Sequence, residues 1–195
     1  MGTHSYHMLG PFANNQYVSK TWSGLNANHY QITVLYSYGL LGSGTWTSDN
    51  ISLIATDSNG QSTISTNQLH SCTSGPFAVS GCAYTQGCFV NYQFNFPHST
   101  DSLTLRVVAQ DSTMSLSINV NAWSIKDLQI LLHLCHHTCQ TCTNSLFISC
   151  TSCIAGLYLQ GGVCVSSCQG LASPVNGLCT ASCSFNYFLN TQLFC

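Results

Sequence analysis

The stretch VNYQFNFPHSTDSLTLRVV, residues 90–108, contains two runs in which every second residue is apolar, separated by a cluster of turn-formers. Val90, Tyr92, Phe94 and Phe96 share one side of an extended chain, and Leu103, Leu105 and Val107 do the same beyond FPHSTDS at 96–102. A period of two puts alternate side chains on one face, so each run reads as a half-buried β-strand. Outward from this stretch, Ile32, Val34 and Tyr36 repeat the pattern upstream and Leu116, Ile118 and Val120 repeat it downstream. AWSIKDLQILL continues it with Trp123 and Ile125, then Leu128, Ile130 and Leu132. Turn-formers also stand at SDN (48–50), DSNG (57–60) and QDST (110–113). No segment long enough for three helical turns carries a helical apolar stripe. Many short alternating strands joined by turns predict an all-β fold, an antiparallel β-sandwich of jelly-roll type.

Charge is scarce. Charged residues make up 4% of the 195, against about 25% in an ordinary soluble domain. There is no Glu; the acids are Asp49, Asp57, Asp101, Asp111 and Asp127, and the bases are Lys20, Arg106 and Lys126. Three bases cannot line a phosphate backbone, which argues against nucleic acid and anionic membrane as partners. The longest apolar stretches, such as LQILLHL at 128–134, fall short of the roughly 20 residues of a spanning helix, so membrane insertion is not expected. With 45% hydrophobic and 11% aromatic residues the chain has ample core material, and intrinsic disorder is not expected either.

Cysteine density divides the chain. Cys72, Cys82 and Cys88 are the cysteines of residues 1–134, and the other ten of the thirteen fall in 135–195. This predicts a β-sandwich domain at 1–132 and a cysteine-rich domain at 133–195. The second has too few consecutive apolar residues for a core of its own, so cross-links must hold it, with little regular secondary structure expected. Thirteen cysteines suit an oxidising compartment, and the expected setting is secreted, extracellular or at the cell surface. MGTHSYHMLGPF, residues 1–12, lacks the basic and apolar regions of a signal peptide, so any leader is expected to lie upstream.

CHHTCQTC at 135–142 is open to three readings. Cys139/Cys142 and Cys150/Cys153 form two C-x2-C pairs near His133, His136 and His137, which is a zinc-knuckle arrangement. Zinc would leave Cys164, Cys168, Cys179, Cys183 and Cys195 unexplained, and the loop between the pairs is short for a zinc ribbon. A thioredoxin-like redox centre needs a strand-to-helix setting that is missing here. Disulfides use an even set of ten without remainder.

CHHTCQTCTNSLFISCTSCIAGLYLQGGVCVSSC, residues 135–168, resembles the furin-like cysteine-rich repeat of growth-factor-receptor ectodomains in its cysteine spacing and in GGVCVSSC. The resemblance implies a disulfide rod with nearest-rung pairing: Cys135 with Cys142, Cys139 with Cys150, Cys153 with Cys164, Cys168 with Cys179 and Cys183 with Cys195. Each such ring removes about 2.5 to 3 kcal/mol of unfolded-chain entropy. The second half, CQGLASPVNGLCTASCSFNYFLNTQLFC, lacks the C-x2-C pair of a full repeat. GPFANNQYVSKTWSGL, HSTDSLTLRV and WSIKDLQI look like the β-rich domain that precedes such repeats in surface proteins of single-celled eukaryotes, a likeness that implies an extracellular setting and no activity.

Enzymatic chemistry is not expected. Five scattered Asp residues offer no obvious acid/base pair, and no G-x-S-x-G elbow, P-loop or dinucleotide fingerprint occurs. No catalytic residue, resident metal or cofactor is assigned. Asp and Asn at 48–50 and 56–60 could ligate calcium, although such clusters more commonly build turns. Trp22, Trp46 or Trp123 could form a carbohydrate platform, with burial in the core as the ordinary alternative.

Asn50-Ile51-Ser52 is the sole N-x-[ST] sequon, which makes Asn50 a candidate glycan acceptor. Of Cys72, Cys82 and Cys88 one must be left over from any internal pair, as a cross-chain disulfide or a buried thiol. Low charge removes a usual barrier to association. The expectation is a glycosylated, self-assembling structural protein of a surface coat or filament, a homo-oligomer or polymer. The alternative is a receptor-ectodomain or lectin-like binding module.

Overall fold

The computed structural model describes residues 9–13, 15–26, 28–42, 50–68, 87–110, 121–170 and 172–181, and among them there is no helix. Two compact units divide the chain: 1–25, 33–96 and 100–131 form the first, and 26–32, 97–99 and 132–195 the second. The chain therefore passes into the second unit next to the sequence boundary at 132. Two short pieces from earlier in the chain join that unit as well, and no feature of the sequence marked them.

Eight strands build the two larger sheets: β1 (Leu9–Phe12), β2 (Tyr17–Ser23), β3 (His29–Gly42), β4 (Asn50–Asp57), β5 (Ser62–Gln68), β6 (Gly87–Pro97), β7 (Ser102–Gln110) and β8 (Asn121–Leu134). One sheet has the order β1-β8-β3-β6, which we call sheet A, and the other β2-β7-β4-β5, sheet B. The couples β1·β8, β2·β7, β3·β6 and β4·β5 are neighbours in these sheets. They nest one inside the next, as if a single long antiparallel hairpin had been rolled up so that alternate couples fell into opposite sheets. That is the jelly-roll topology.

The alternating runs account for the core. In β3 the buried residues include Ile32, Val34, Tyr36 and Tyr38, in β8 Trp123 and Ile125, in β4 Ile51, Leu53 and Ala55, and in β7 Leu103, Leu105 and Val107. Each fully buried Leu or Ile contributes about 1.5 to 3 kcal/mol through removal from water. The two runs of the 90–108 stretch lie in β6 and β7, in different sheets, and FPHSTDS carries the chain from one sheet to the other. The run Leu116–Val120 lies outside the described residues, as do Cys72, Cys82, Trp46 and SDN up to Asp49. Cys88 lies on β6.

DSNG closes the β4–β5 hairpin, and the carboxylate of Asp57 is used in doing so. Its Oδ1 accepts from the amides of Asn59 (2.9 Å) and Gln61 (2.8 Å), so this aspartate holds a turn.

The second unit carries more regular structure than its composition suggested. β9 (Cys139–Cys142) pairs with β10 (Cys150–Cys153), and β11 (Tyr158–Gln160), β12 (Val163–Val165), β13 (Ala172–Val175) and β14 (Leu178–Ala181) form a sheet of order β12-β11-β14-β13. The reason lies in two tight turns: Gly161-Gly162 joins β11 to β12 and Asn176-Gly177 joins β13 to β14, all four residues with positive φ. Two-residue loops of this kind match the twist of the strands they join. Disulfides link Cys135–Cys142, Cys139–Cys150, Cys153–Cys164 and Cys168–Cys179. These are four of the five pairs implied by the furin-like resemblance; Cys183 and Cys195 lie outside the described residues.

Candidate functional site

A groove of about 500 Å³ opens where the edge of sheet A meets the edge of sheet B. Leu9 of β1, Val18, Ser19, Lys20 and Trp22 of β2, and Ile125, Lys126, Asp127 and Leu128 of β8 line it. Four consecutive residues of one strand cannot face the same way in regular β-structure, where successive side chains alternate. Asp127 removes that restriction. Its φ is 55°, in the left-handed region that few non-glycine residues occupy. Before it Trp123 and Ile125 are buried, and beyond it Leu128, Ile130 and Leu132 are the less exposed positions, so the alternation slips by one residue. Re-phasing of this kind re-aims side chains, and it is common beside functional sites.

The groove is chemically unlike the rest of the chain. Eight side chains in 195 residues are charged, and three of them, Lys20, Lys126 and Asp127, stand here. Lys126 Nζ lies 3.2 Å from Asp127 Oδ2, the one ion pair among the described residues, with side-chain exposures of 18% and 63%. The Lys20 ammonium lies over the indole of Trp22, 6.0 Å from its centroid, at the outer limit of a cation–π contact. Trp22 is half-buried, with an apolar ring available in the groove.

Of the two tryptophans among the described residues, Trp22 is the one placed for a carbohydrate platform, and Trp46 lies outside them. Trp123 is fully buried, packs against Phe12 in a tilted arrangement with ring centroids 4.7 Å apart and donates its indole N–H to the carbonyl of Ala13 at 3.2 Å, so it is a core residue. Asn50 is half-buried at the head of β4, paired with Gln68 and Gln110 on either side. Ser52 of the same sequon is buried, its Oγ 3.2 Å from Thr66 Oγ1.

Two other clusters are structural. The Sγ atoms of Cys139, Cys150 and Cys164 lie within 4.8 Å of one another, a spacing that could suit a metal. All three are in disulfides, which leaves no thiolate there to act as a ligand. His29 and His98, both buried, stack with ring centroids 5.0 Å apart, and His29 Nε2 lies 2.7 Å from His98 Nδ1. His29 Nδ1 is bonded to the Asn26 carbonyl, so the pair ties the start of β3 to the residue after β6.

Lys20, Lys126 and Asp127 belong to no motif of the sequence. A signal for two of them was present: in WSIKDLQI the apolar positions change from odd to even numbers at Lys126-Asp127. Two of the eight charges sit on that break. No family model, no curated protein and no solved structure matches the chain.

Proposed function

We propose that this protein is a non-enzymatic extracellular structural subunit of a surface coat or filament, self-assembling through its β-sandwich and its cysteine-rich module. The observation that carries the reading is an asymmetry among the edge strands of sheets A and B, as the described residues form them. On one side β1 is four residues long with Pro11 inside it, and β2 bears Lys20, so both edges are blunted. On the other side β5 and β6 run for 7 and 11 residues with no charged residue, and the one proline, Pro97, is the last residue of β6. Among the described residues no strand pairs with the outer side of β5 or β6, and edges without a guarding charge are templates for strand addition from another chain.

Further support comes from residues 128–195, which contain no Asp, Glu, Lys or Arg. Leu134, Leu146, Phe147, Ile148, Val175 and Leu178 in this region are exposed. Such a surface lacks the charge repulsion that keeps proteins apart. Four disulfides fit an oxidising, secreted setting. In this reading Asn50 carries a glycan, and one of Cys72, Cys82 and Cys88 links neighbouring chains.

Electron microscopy of the purified full chain under non-reducing conditions tests the proposal. Regular polymers are expected, and isolated single particles at every concentration would overturn it. A mass of the Asn50 peptide that deglycosylation leaves unchanged would remove the glycan from the scheme. A second reading, a lectin-like or receptor-ectodomain binding module, is favoured by the Trp22 groove.

A further inference from the structure

We propose that the groove between β1, β2 and β8 binds an acidic saccharide, a glycan containing hexuronic acid, with Trp22 as platform and Lys20 as the carboxylate's partner. The inference deepens the second of the two readings above and holds whether or not the chains polymerise.

A pyranose ring presents an apolar C–H face and a rim of hydroxyls, so its receptor needs a flat apolar surface bordered by a few fixed polar groups. Trp22 supplies the surface, with Leu9, Val18, Ile125 and Leu128 beside it. Asp127, mostly exposed, can accept from ring hydroxyls, and Lys126, held by the Asp127 carboxylate, can donate to them. Two lysines against one aspartate leave the groove with a formal charge of +1. Lys126 is the one paired with carboxylate, whereas the Lys20 ammonium projects over the Trp22 ring. A carboxylate on a sugar stacked at Trp22 lies within reach of it. The unmet charge in this groove is positive, so a uronic acid complements it better than a neutral hexose does.

Two other occupants fit less well. A lipid chain has no use for three of the chain's eight charges, and the partly exposed ion pair would border its path. A peptide added as a strand needs an open edge, yet the edges at this groove are β1 with Pro11 and β2 with Lys20.

The test titrates the full chain with an oligomer of galacturonic acid and, separately, with a neutral galactose oligomer of equal length, following the indole N–H resonances by NMR. The Trp22 resonance, assigned through Trp22→Phe, is expected to move with the acidic oligomer. Lys20 is exposed, so Lys20→Gln keeps the fold, checked by an unchanged melting curve. That variant is expected to lose about tenfold in affinity for the acidic oligomer, as for a charge-assisted bond, and none for the neutral one. Equal affinity of the unaltered chain for both oligomers, or acidic binding unaffected by Lys20→Gln, overturns the assignment of an acidic ligand and leaves the binding-module reading standing. No movement of any resonance with either oligomer, together with no binding on a broad glycan array, overturns both.

Discussion

Thr21, Thr104, Thr56 and Ser62 stand in one row across sheet B, one from each strand, with Thr21 Oγ1 2.9 Å from Thr104 Oγ1 and Thr56 Oγ1 2.9 Å from Ser62 Oγ. In sheet A, Thr33 Oγ1 donates to Asn95 Oδ1 at 2.7 Å and Ser37 Oγ to Asn91 Oδ1 at 2.6 Å. Cross-strand pairs of this kind contribute about 0.2 to 1 kcal/mol each and occupy places where other sheets carry opposite charges. Arg106 is used differently: its guanidinium lies 3.8 Å from the centroid of the Tyr17 ring. Tyr38 ties folding stability to alkaline pH. It is buried, and burial first, with Tyr92 beside it second, pushes its phenol from 10.0 up to about 12. A raised folded-state value means that the unfolded chain releases this proton first as pH climbs. The stabilisation is therefore complete below pH 10 and is lost as pH rises toward about 12. Over that window the loss reaches about 3 kcal/mol at most. Denaturant unfolding at stepped alkaline pH should show a shallower decline for Tyr38→Phe than for the unaltered chain. Parallel declines would mean that Tyr38 ionises as freely folded as unfolded.

At the scale of elements, how much was legible depended on which signal each segment carries. Alternation located β3, β6, β7 and β8 on both sides of its slip, because a half-buried strand shows its period of two directly in the residues. It did not locate β1, β2, β4 or β5, and in β5, STISTNQ, most described residues are exposed, so that no apolar rhythm survives. Half of the groove was readable from the odd-to-even slip at Lys126-Asp127; Lys20 and Trp22 come to it from a strand about a hundred residues away through folding alone. The small strands of the cysteine-rich unit have their signal in the turns, QGGV and VNGL, where a pair of residues with positive φ forces the chain back on itself. Gly162 tests how far that module depends on its turn. Its φ is 85°, its carbonyl accepts the amide of Cys150 at 2.9 Å, and a Cβ at this position would collide with the carbonyl oxygen of Ile148. Gly162→Ala should cost at least about 1 to 2 kcal/mol from the left-handed conformation alone, with the collision added. Gly161→Ala, at a φ of 59° in open space, should cost only the first part. The comparison is a pair of denaturation curves under non-reducing conditions. Equal losses would mean that β10 and the β11–β12 hairpin are not held against each other through Gly162.

For the whole molecule, scarcity of charge shapes both stability and association. With a single, partly exposed ion pair among the described residues, worth about 0 to 1 kcal/mol, folding stability should be almost indifferent to screening. Raising sodium chloride from about 0.01 M to about 1 M, which shortens the Debye length roughly tenfold, should change the unfolding free energy by less than about 1 kcal/mol. A larger fall would point to charge interactions beyond that pair. The same scarcity leaves β5 and β6 without the lysines that guard edges elsewhere. Like-with-like pairing across either strand closes a two-fold dimer, so an open polymer needs a second, different contact, and the uncharged surface of residues 128–195 is available for one. Placing a lysine on each open edge separates these roles. Ile64 is 61% exposed on β5 and Gln93 is exposed on β6, so Ile64→Lys and Gln93→Lys should leave the monomer's melting curve in place. A charged side chain on an edge disfavours strand addition there, and where the two-fold axis passes close to it like charges face one another, at a cost of about 1 kcal/mol, enough to weaken association roughly fivefold. Sedimentation of the single and double variants under non-reducing conditions shows which edge is used. One variant should shift the distribution toward smaller species while the other leaves it nearly unchanged. If the double variant sediments as the unaltered chain does, assembly does not run through these edges, and the contact must lie in the cysteine-rich module.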